Sequence, residues 1–166
     1  MAWTHALAGS LALLIAGCAA PAPQPGVAAD FPPTLRPALH PQWIDAAGHV
    51  TWPPNDGCAT PAVAIVLPPG MVIDRFGAEG GSFFSAPDQS FAARAMPYIC
   101  PRMAYTVYRV KQPIPAQACP AAPWFGEPGG APQFKTPHTV AALLAAGSIE
   151  ADPAATLRAG AVCRGP

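Results

Sequence analysis

The 24 prolines among the 166 residues restrict the fold of this chain more than any other feature. Each proline fixes φ at about −65° and removes a backbone donor, which excludes it from helix interiors and from central strand positions. Long regular elements therefore have little room to form. The pattern predicts short strands joined by loops.

Three apolar runs bounded by proline or glycine predict strands, and they cover residues 62–67, 71–76 and 105–110. One helix is predicted after them, because Thr136 can cap its start and Gly147 can end it. A second, shorter helix is predicted at residues 153–158. This order predicts an α+β fold, with a small twisted antiparallel β-sheet core, one or two short helices and long Pro/Gly-rich loops.

The N-terminus has the pattern of a targeting segment. No Asp, Glu, Lys or Arg precedes Asp30, and residues 11–18 form an apolar run that ends in small residues. This predicts a signal peptide over residues 1–17, since the run is too short for a transmembrane helix of about twenty residues. Ile-Ala-Gly-Cys at residues 15–18 resembles a bacterial lipobox, which implies a lipid on Cys18. The alternative is an ordinary signal peptide, because the n-region contains no Lys or Arg.

Export is expected on either interpretation, and the lipobox implies a lipid-anchored protein of the periplasm, outer membrane or cell surface. Residues 18–41 are Ala/Pro-rich and lack hydrophobic periodicity, as a semi-extended linker does. Residues 42–166 carry the predicted strands and helices. We expect them to form one monomeric domain.

Four cysteines remain after Cys18, an even number that suits two disulfides in an oxidising compartment. Three pairings are possible. The sequence-based prediction is Cys100 with Cys119, which closes a short loop, and Cys58 with Cys163, which joins the ends of the domain. A zinc site is the rival interpretation, but C-x₂-C spacing is absent and no histidine is suitably placed. No metal is therefore expected.

Charge excludes one class of function. The formal net charge is zero, so the chain lacks the basic surplus that supplies affinity for nucleic acid. Its carboxylates and histidines show no recognisable catalytic spacing, and the serine motif G-x-S-x-G does not occur. A hydrolase built on these residues needs a leaving group that departs without acid help. The nicotinamide of NAD⁺ is such a group, since it is a cation that leaves as a neutral base.

Two arginines are candidates for binding an anion. Arg75 lies before a glycine-rich turn, and Arg94 follows in the segment AARAMP. Two guanidinium groups converging on one cleft suit a diphosphate, which they bind bidentately. The alternative is a structural ion pair for each, for example Arg75 with Asp88 or Glu79.

Five blocks of sequence, in this order, resemble the TNT domain, the NAD⁺-glycohydrolase domain of tuberculosis necrotizing toxin and of fungal surface NADases. They are TWPPNDGC, LPPGMVIDRFGAEGGSFFSAP, AARAMPY, YTVYRVKQPIP and APWFGEPGGAPQF, and the resemblance runs from about residue 52 to residue 149. It implies that NAD⁺ or NADP⁺ is the substrate, cleaved to nicotinamide and ADP-ribose without a cofactor.

The resemblance also implies roles for individual residues. Arg75 and Arg94 would hold the diphosphate, and Phe83 would stack on a planar base. Gln133 falls on the family's catalytic glutamine. Because an amide is not a strong base, Gln133 would orient the ribose hydroxyls or the attacking water.

Two departures from the family pattern lie close to these residues. Thr106 stands where family members commonly have histidine, and Ala131-Pro132 replaces Gly-Thr before Gln133. A proline there either rigidifies a competent loop or misplaces the amide. The alternative function is thus a catalytically degenerate, TNT-like envelope lipoprotein that binds a nucleotide or partner without cleaving it.

Overall fold

The computed structural model of the protein describes residues 33–158 and Cys163. The predicted signal peptide, the predicted lipidation site Cys18 and most of the predicted linker lie outside these residues. None of the helices in the described part of the chain has the length and apolar character needed to span a membrane.

A seven-stranded antiparallel sheet organises the described residues. Its strands are β1 (Val63–Leu67), β2 (Val72–Phe76), β3 (Phe83–Ser85), β4 (Tyr105–Val110), β5 (Ile114–Pro120), β6 (Pro132–Lys135) and β7 (Ile149–Ala151). Their order in the sheet is β1-β5-β6-β3-β2-β4-β7. The predicted α+β class, with an antiparallel sheet, short helices and two disulfides, is confirmed.

The three predicted strands correspond to β1, β2 and β4, whereas the other four strands were not predicted. β5 is the most informative of these, because its residues from Ile114 to Gln117 alternate between buried and exposed positions as a one-sided strand requires. Pro113, Pro115 and Pro120 obscure that alternation in the sequence. Pro115 pairs only with Val66 of edge strand β1, because the pairing of β5 with β6 begins at Gln117, and a proline is tolerated where a strand has a single neighbour.

Two short α-helices, α1 (Val140–Ala145) and α2 (Pro153–Arg158), pack against the sheet. The N-cap of α1 is Thr139, whose hydroxyl accepts a hydrogen bond from the Ala142 amide at 3.2 Å. The prediction that Thr136 caps this helix was wrong, because the Thr136 hydroxyl instead donates to the carbonyl of His138 at 2.7 Å. The predicted bounds of α2 are confirmed.

The two faces of the sheet differ in character. One face carries the apolar core, formed by Leu67, Ile73, Phe84, Tyr108, Val110, Ile114, Ala116, Phe134, Val140, Leu143 and Ile149. Strand alternation places Asp74, Ser85 and Gln133 on the opposite face, where they are aligned across β2, β3 and β6. The second face therefore presents polar groups to the loops that cover it.

The disulfide pairing differs from the prediction. Cys58 is bonded to Cys119, and Cys100 to Cys163. The sheet order explains the difference, because β5 brings Cys119 beside the segment in which Cys58 forms a bridge with Ala121. Both bonds join residues more than 60 positions apart.

Candidate functional site

A cavity of about 600 Å³ opens over the polar face of the sheet. Its volume is within the range of pockets for small molecules and cofactors, about 300 to 1,000 Å³. Four of its lining residues are those predicted from the sequence, namely Arg75, Phe83, Arg94 and Gln133. The fold thus brings all four predicted site residues to one cavity.

Gln133 lies in the middle of the sheet, on β6, between Ser85 of β3 and Cys119 of β5. Its Nε2 donates to the backbone carbonyl of Asp56 at 2.8 Å. A carbonyl partner requires a donor, so this contact fixes the orientation of the amide. No donor among the described residues bonds to Oε1, which is left to accept a hydrogen bond in the cavity.

The Ala131-Pro132 departure does not remove Gln133 from the ladder. Pro132 is the first residue of β6, a position where the missing N–H is tolerated, and it stands opposite Pro120. Ala131 bonds through both backbone groups, donating to Ala93 at 2.9 Å and accepting from Ala121 at 2.8 Å. Gln133 was expected on a loop, and that was wrong, because Pro132–Lys135 form strand β6.

Arg75 binds the glycine-rich turn through backbone carbonyls. Its guanidinium donates to Phe83 at 2.9 Å, to Ala78 at 2.8 Å and more weakly to Gly77 at 3.4 Å. Gly81 permits this approach, because a Cβ there would lie 2.4 Å from Nη2. Burial of the side chain lowers the pKa of Arg75.

No ion pair in the described part of the chain includes Arg75, and neither Asp88 nor Glu79 pairs with it. Its positive charge is therefore compensated by carbonyl dipoles alone among these residues. An anionic ligand entering the cavity would find this charge unneutralised by a carboxylate.

Arg94 has a different environment. It forms a bidentate ion pair with Asp74, at 2.5 and 2.8 Å, and also donates to the carbonyl of Gln89. The hydroxyl of Tyr105 donates to the same carboxylate at 2.7 Å, and burial, reinforced by this bond, raises the pKa of Tyr105. Most donors of Arg94 are thus engaged within the protein, although the residue still lines the cavity.

Phe83 has 37% of its surface exposed and lines the same cavity. Lys135 lies on the same face of the sheet, with its Nζ 5.7 Å from the Phe83 ring centroid and 2.8 Å from Asp56 Oδ1. An exposed aromatic ring in a cleft can stack on a planar base. Thr106, at the position of the family's histidine, stands opposite Arg75 in the ladder between β2 and β4.

Sequence reasoning missed the contribution of Asp56. Residues 55–57 form a 3-10 turn in which Asn55 and Asp56 adopt positive φ values of 53° and 55°. Asn-Asp-Gly in the sequence is a signal for such a turn. The hydrogen bond from Gln133 to the Asp56 carbonyl joins residues 77 positions apart, and no local sequence pattern predicts such a contact. Among the described residues, no group of three or more His, Cys, Asp or Glu side chains could hold a metal ion.

The fold and the cavity define a small α+β domain with a cleft on one face of an antiparallel sheet. A family model for tuberculosis necrotizing toxin, TNT, matches residues 66–151, which is more than half of the chain. The chain belongs to the TNT family.

The chain is also similar to two known proteins. A conidial surface nicotinamide adenine dinucleotide glycohydrolase of Aspergillus fumigatus is 35% identical over 86 residues, covering 47% of this chain and 36% of its own length. The structure of tuberculosis necrotizing toxin complexed with its immunity factor superposes with a TM-score of 0.53 at 22% identity. That match covers 64% of this chain and 65% of the other, and it supports the fold.

Proposed function

We propose that this protein is an NAD(P)⁺ glycohydrolase. The observation that carries the proposal is the meeting of Gln133, Phe83, Arg75 and Arg94 at one cavity of sufficient size. Membership of the TNT family and the similarity to a fungal NAD glycohydrolase support it. The chain spans about a third of that relative, so the activity is proposed from the shared segment.

The reaction needs little acid or base strength from the protein. The bond between C1′ of the ribose and N1 of nicotinamide breaks, and its electron pair neutralises the pyridinium ring. Water then bonds to C1′ and loses a proton to solvent, giving nicotinamide, ADP-ribose and H⁺. The protein's part is to position the ribose and stabilise an oxocarbenium-like transition state.

Each site residue has a place in this scheme. The Oε1 atom of Gln133 accepts a hydrogen bond from a ribose hydroxyl or from the attacking water. Arg75 supplies positive charge to the diphosphate, and Arg94 lines the same cavity with its orientation fixed by Asp74. Phe83 stacks on a base at the cavity wall. No cofactor is required, because the substrate carries its own leaving group.

Export belongs to the same proposal. Two disulfides are typical of proteins that fold in an oxidising compartment. They agree with the signal peptide, with lipidation of Cys18, and with a place in the periplasm or on the cell surface. We propose that the domain is held there by its lipid anchor and the linker of residues 18–41.

The assay is release of nicotinamide from a fluorescent NAD⁺ analogue by the full chain, purified with its disulfides oxidised. Gln133→Ala is expected to lower kcat at least a hundredfold. Gln117→Ala is the matched control, since Gln117 is an exposed amide on the neighbouring strand and does not line the cavity. Binding of the analogue without release at any protein concentration would instead establish the non-cleaving binding module.

A further inference from the structure

We propose that the Cys58–Cys119 disulfide is a positioning element for Gln133, so that NAD⁺ cleavage depends on this bond being oxidised. The inference rests on the proposed function. Cys119 stands directly opposite Gln133 in the ladder, and its Sγ lies 3.7 Å from Nε2 of Gln133. The same disulfide holds Cys58, two residues after the Asp56 carbonyl that binds the amide.

The turn that carries Asp56 has little else to hold it. None of residues 55–57 is buried. Asn55 and Asp56 both adopt positive φ, a conformation that L-residues keep only where surrounding contacts hold it. Asp56 also forms an ion pair with Lys135, but both side chains are exposed, so the pair contributes little to the stability of the turn. Two backbone hydrogen bonds, Ala59 to Pro120 and Ala122 to Gly57, complete the attachment.

Loss of the covalent bond would therefore free the turn without removing strands from the sheet. A dithiol reductant converts the disulfide to two thiols, giving up two electrons and two protons as it forms its own disulfide. The Asp56 carbonyl then moves relative to β6, and Gln133 Nε2 loses its fixed acceptor. An amide free to rotate presents Oε1 to the ribose for only part of the time, and a displacement of about 1 Å can cost about a hundredfold in rate.

The second disulfide provides a matched control. Among the described residues, no hydrogen bond or strand pairing links Cys100 to Gln133 or to the Asp56 turn, and its bond to Cys163 starts from a separate 3-10 turn. The two bonds close loops of similar length, 61 and 63 residues, so their removal costs similar loop entropy. A difference in activity between the two pairs then reports on the site, not on general stability.

A reducing cytosol would keep such an enzyme inactive until export. The activity would then appear only where the disulfide forms, outside the NAD⁺ pool of the producing cell. This protection needs no second protein.

The test compares the full-length parent with the variants C58A/C119A and C100A/C163A. Circular dichroism first establishes that each of the three proteins is folded. We expect C58A/C119A to lose kcat at least tenfold while its affinity for ADP-ribose changes less than threefold, and C100A/C163A to stay within twofold of the parent. The side-chain amide of Gln133, followed by ¹⁵N NMR, should exchange its hydrogens faster in C58A/C119A only. Equal kcat in the parent and C58A/C119A, or equal losses in both variants, would overturn the inference.

If C58A/C119A fails to fold, Gly57→Ala decides. It keeps the disulfide, and its added Cβ makes only ordinary contacts, 3.6 Å from Gln133 Oε1, so the substitution acts by straining the turn at a φ of +79°. A tenfold fall in kcat with the fold intact supports the step from the Asp56 turn to Gln133, through which the disulfide acts. An unchanged kcat refutes that step and with it the positioning role of the disulfide. An oxidised parent that releases no nicotinamide refutes the proposed function and this inference together. An active parent that is insensitive to all of these changes refutes the inference alone.

Discussion

Replacing Asp74 with asparagine is predicted to destabilise the fold severely. Asp74 is fully buried and the Arg94 side chain is 6% exposed, so this ion pair has almost no solvent screening. Asparagine keeps the shape of the side chain and one acceptor oxygen. It leaves the guanidinium charge without a counter-ion, which is the main cost of breaking a buried pair.

The magnitude follows from the burial of the pair. Removing one partner of a buried ion pair costs about 3–5 kcal/mol, and the retained acceptor places this variant at about 3 kcal/mol. For a domain of this size, that loss lowers Tm by about 10–20 °C. Urea unfolding at pH 7, followed by circular dichroism on the oxidised protein, measures the change.

Glu150→Gln is the control for this prediction. Glu150 pairs with Lys111 at 2.8 Å, but the two side chains are 63% and 48% exposed. Exposed pairs contribute little to stability, so we expect almost no change in the urea midpoint. An Asp74→Asn midpoint as close to the parent as that of Glu150→Gln would refute the argument from burial.

Three further predictions concern the cavity and its surroundings. Phe83→Ala should raise KM for NAD⁺ about tenfold with little change in kcat, because only stacking is lost; a fall confined to kcat would contradict this. Gly81→Ala places a Cβ against the Arg75 guanidinium and should weaken ADP-ribose binding in calorimetry; unchanged affinity would speak against Arg75 as the diphosphate ligand. The raised pKa of Tyr105 means that the folded state retains this proton longer than the unfolded state, so stability falls as pH rises above about 10. Tyr105→Phe should flatten that fall in urea titrations, and an equally steep fall would disprove it.

Much of the fold was predictable where hydrophobic pattern and turn residues agree. The runs that form β1, β2 and β4 are apolar and end at proline or glycine, and α2 has the predicted bounds. β3 and β7 are three residues each, too short for periodicity to be read. In β5 and β6 the prolines argue against strands, yet Pro115 lies next to an edge strand and Pro132 begins its strand.

The candidate site was predicted in its residues and not in its geometry. The resemblance pointed to Gln133, Phe83 and the two arginines, and the fold brings them to one cavity. The ion pair of Arg94 with Asp74 and the Asp56 contact of Gln133 join residues 20 and 77 positions apart. Such contacts depend on strand order, which a single sequence does not specify. The disulfide pairing was predicted wrongly for the same reason.

The most direct test of the central proposal is product identification from unmodified NAD⁺. Proton NMR of the oxidised full chain with NAD⁺ should show free nicotinamide and ADP-ribose rising in equal amounts. Gln133→Ala at the same concentration should show almost none, while Gln117→Ala should match the parent. Intact NAD⁺ after prolonged incubation, cleavage to AMP and nicotinamide mononucleotide, or undiminished nicotinamide release by Gln133→Ala would contradict the account.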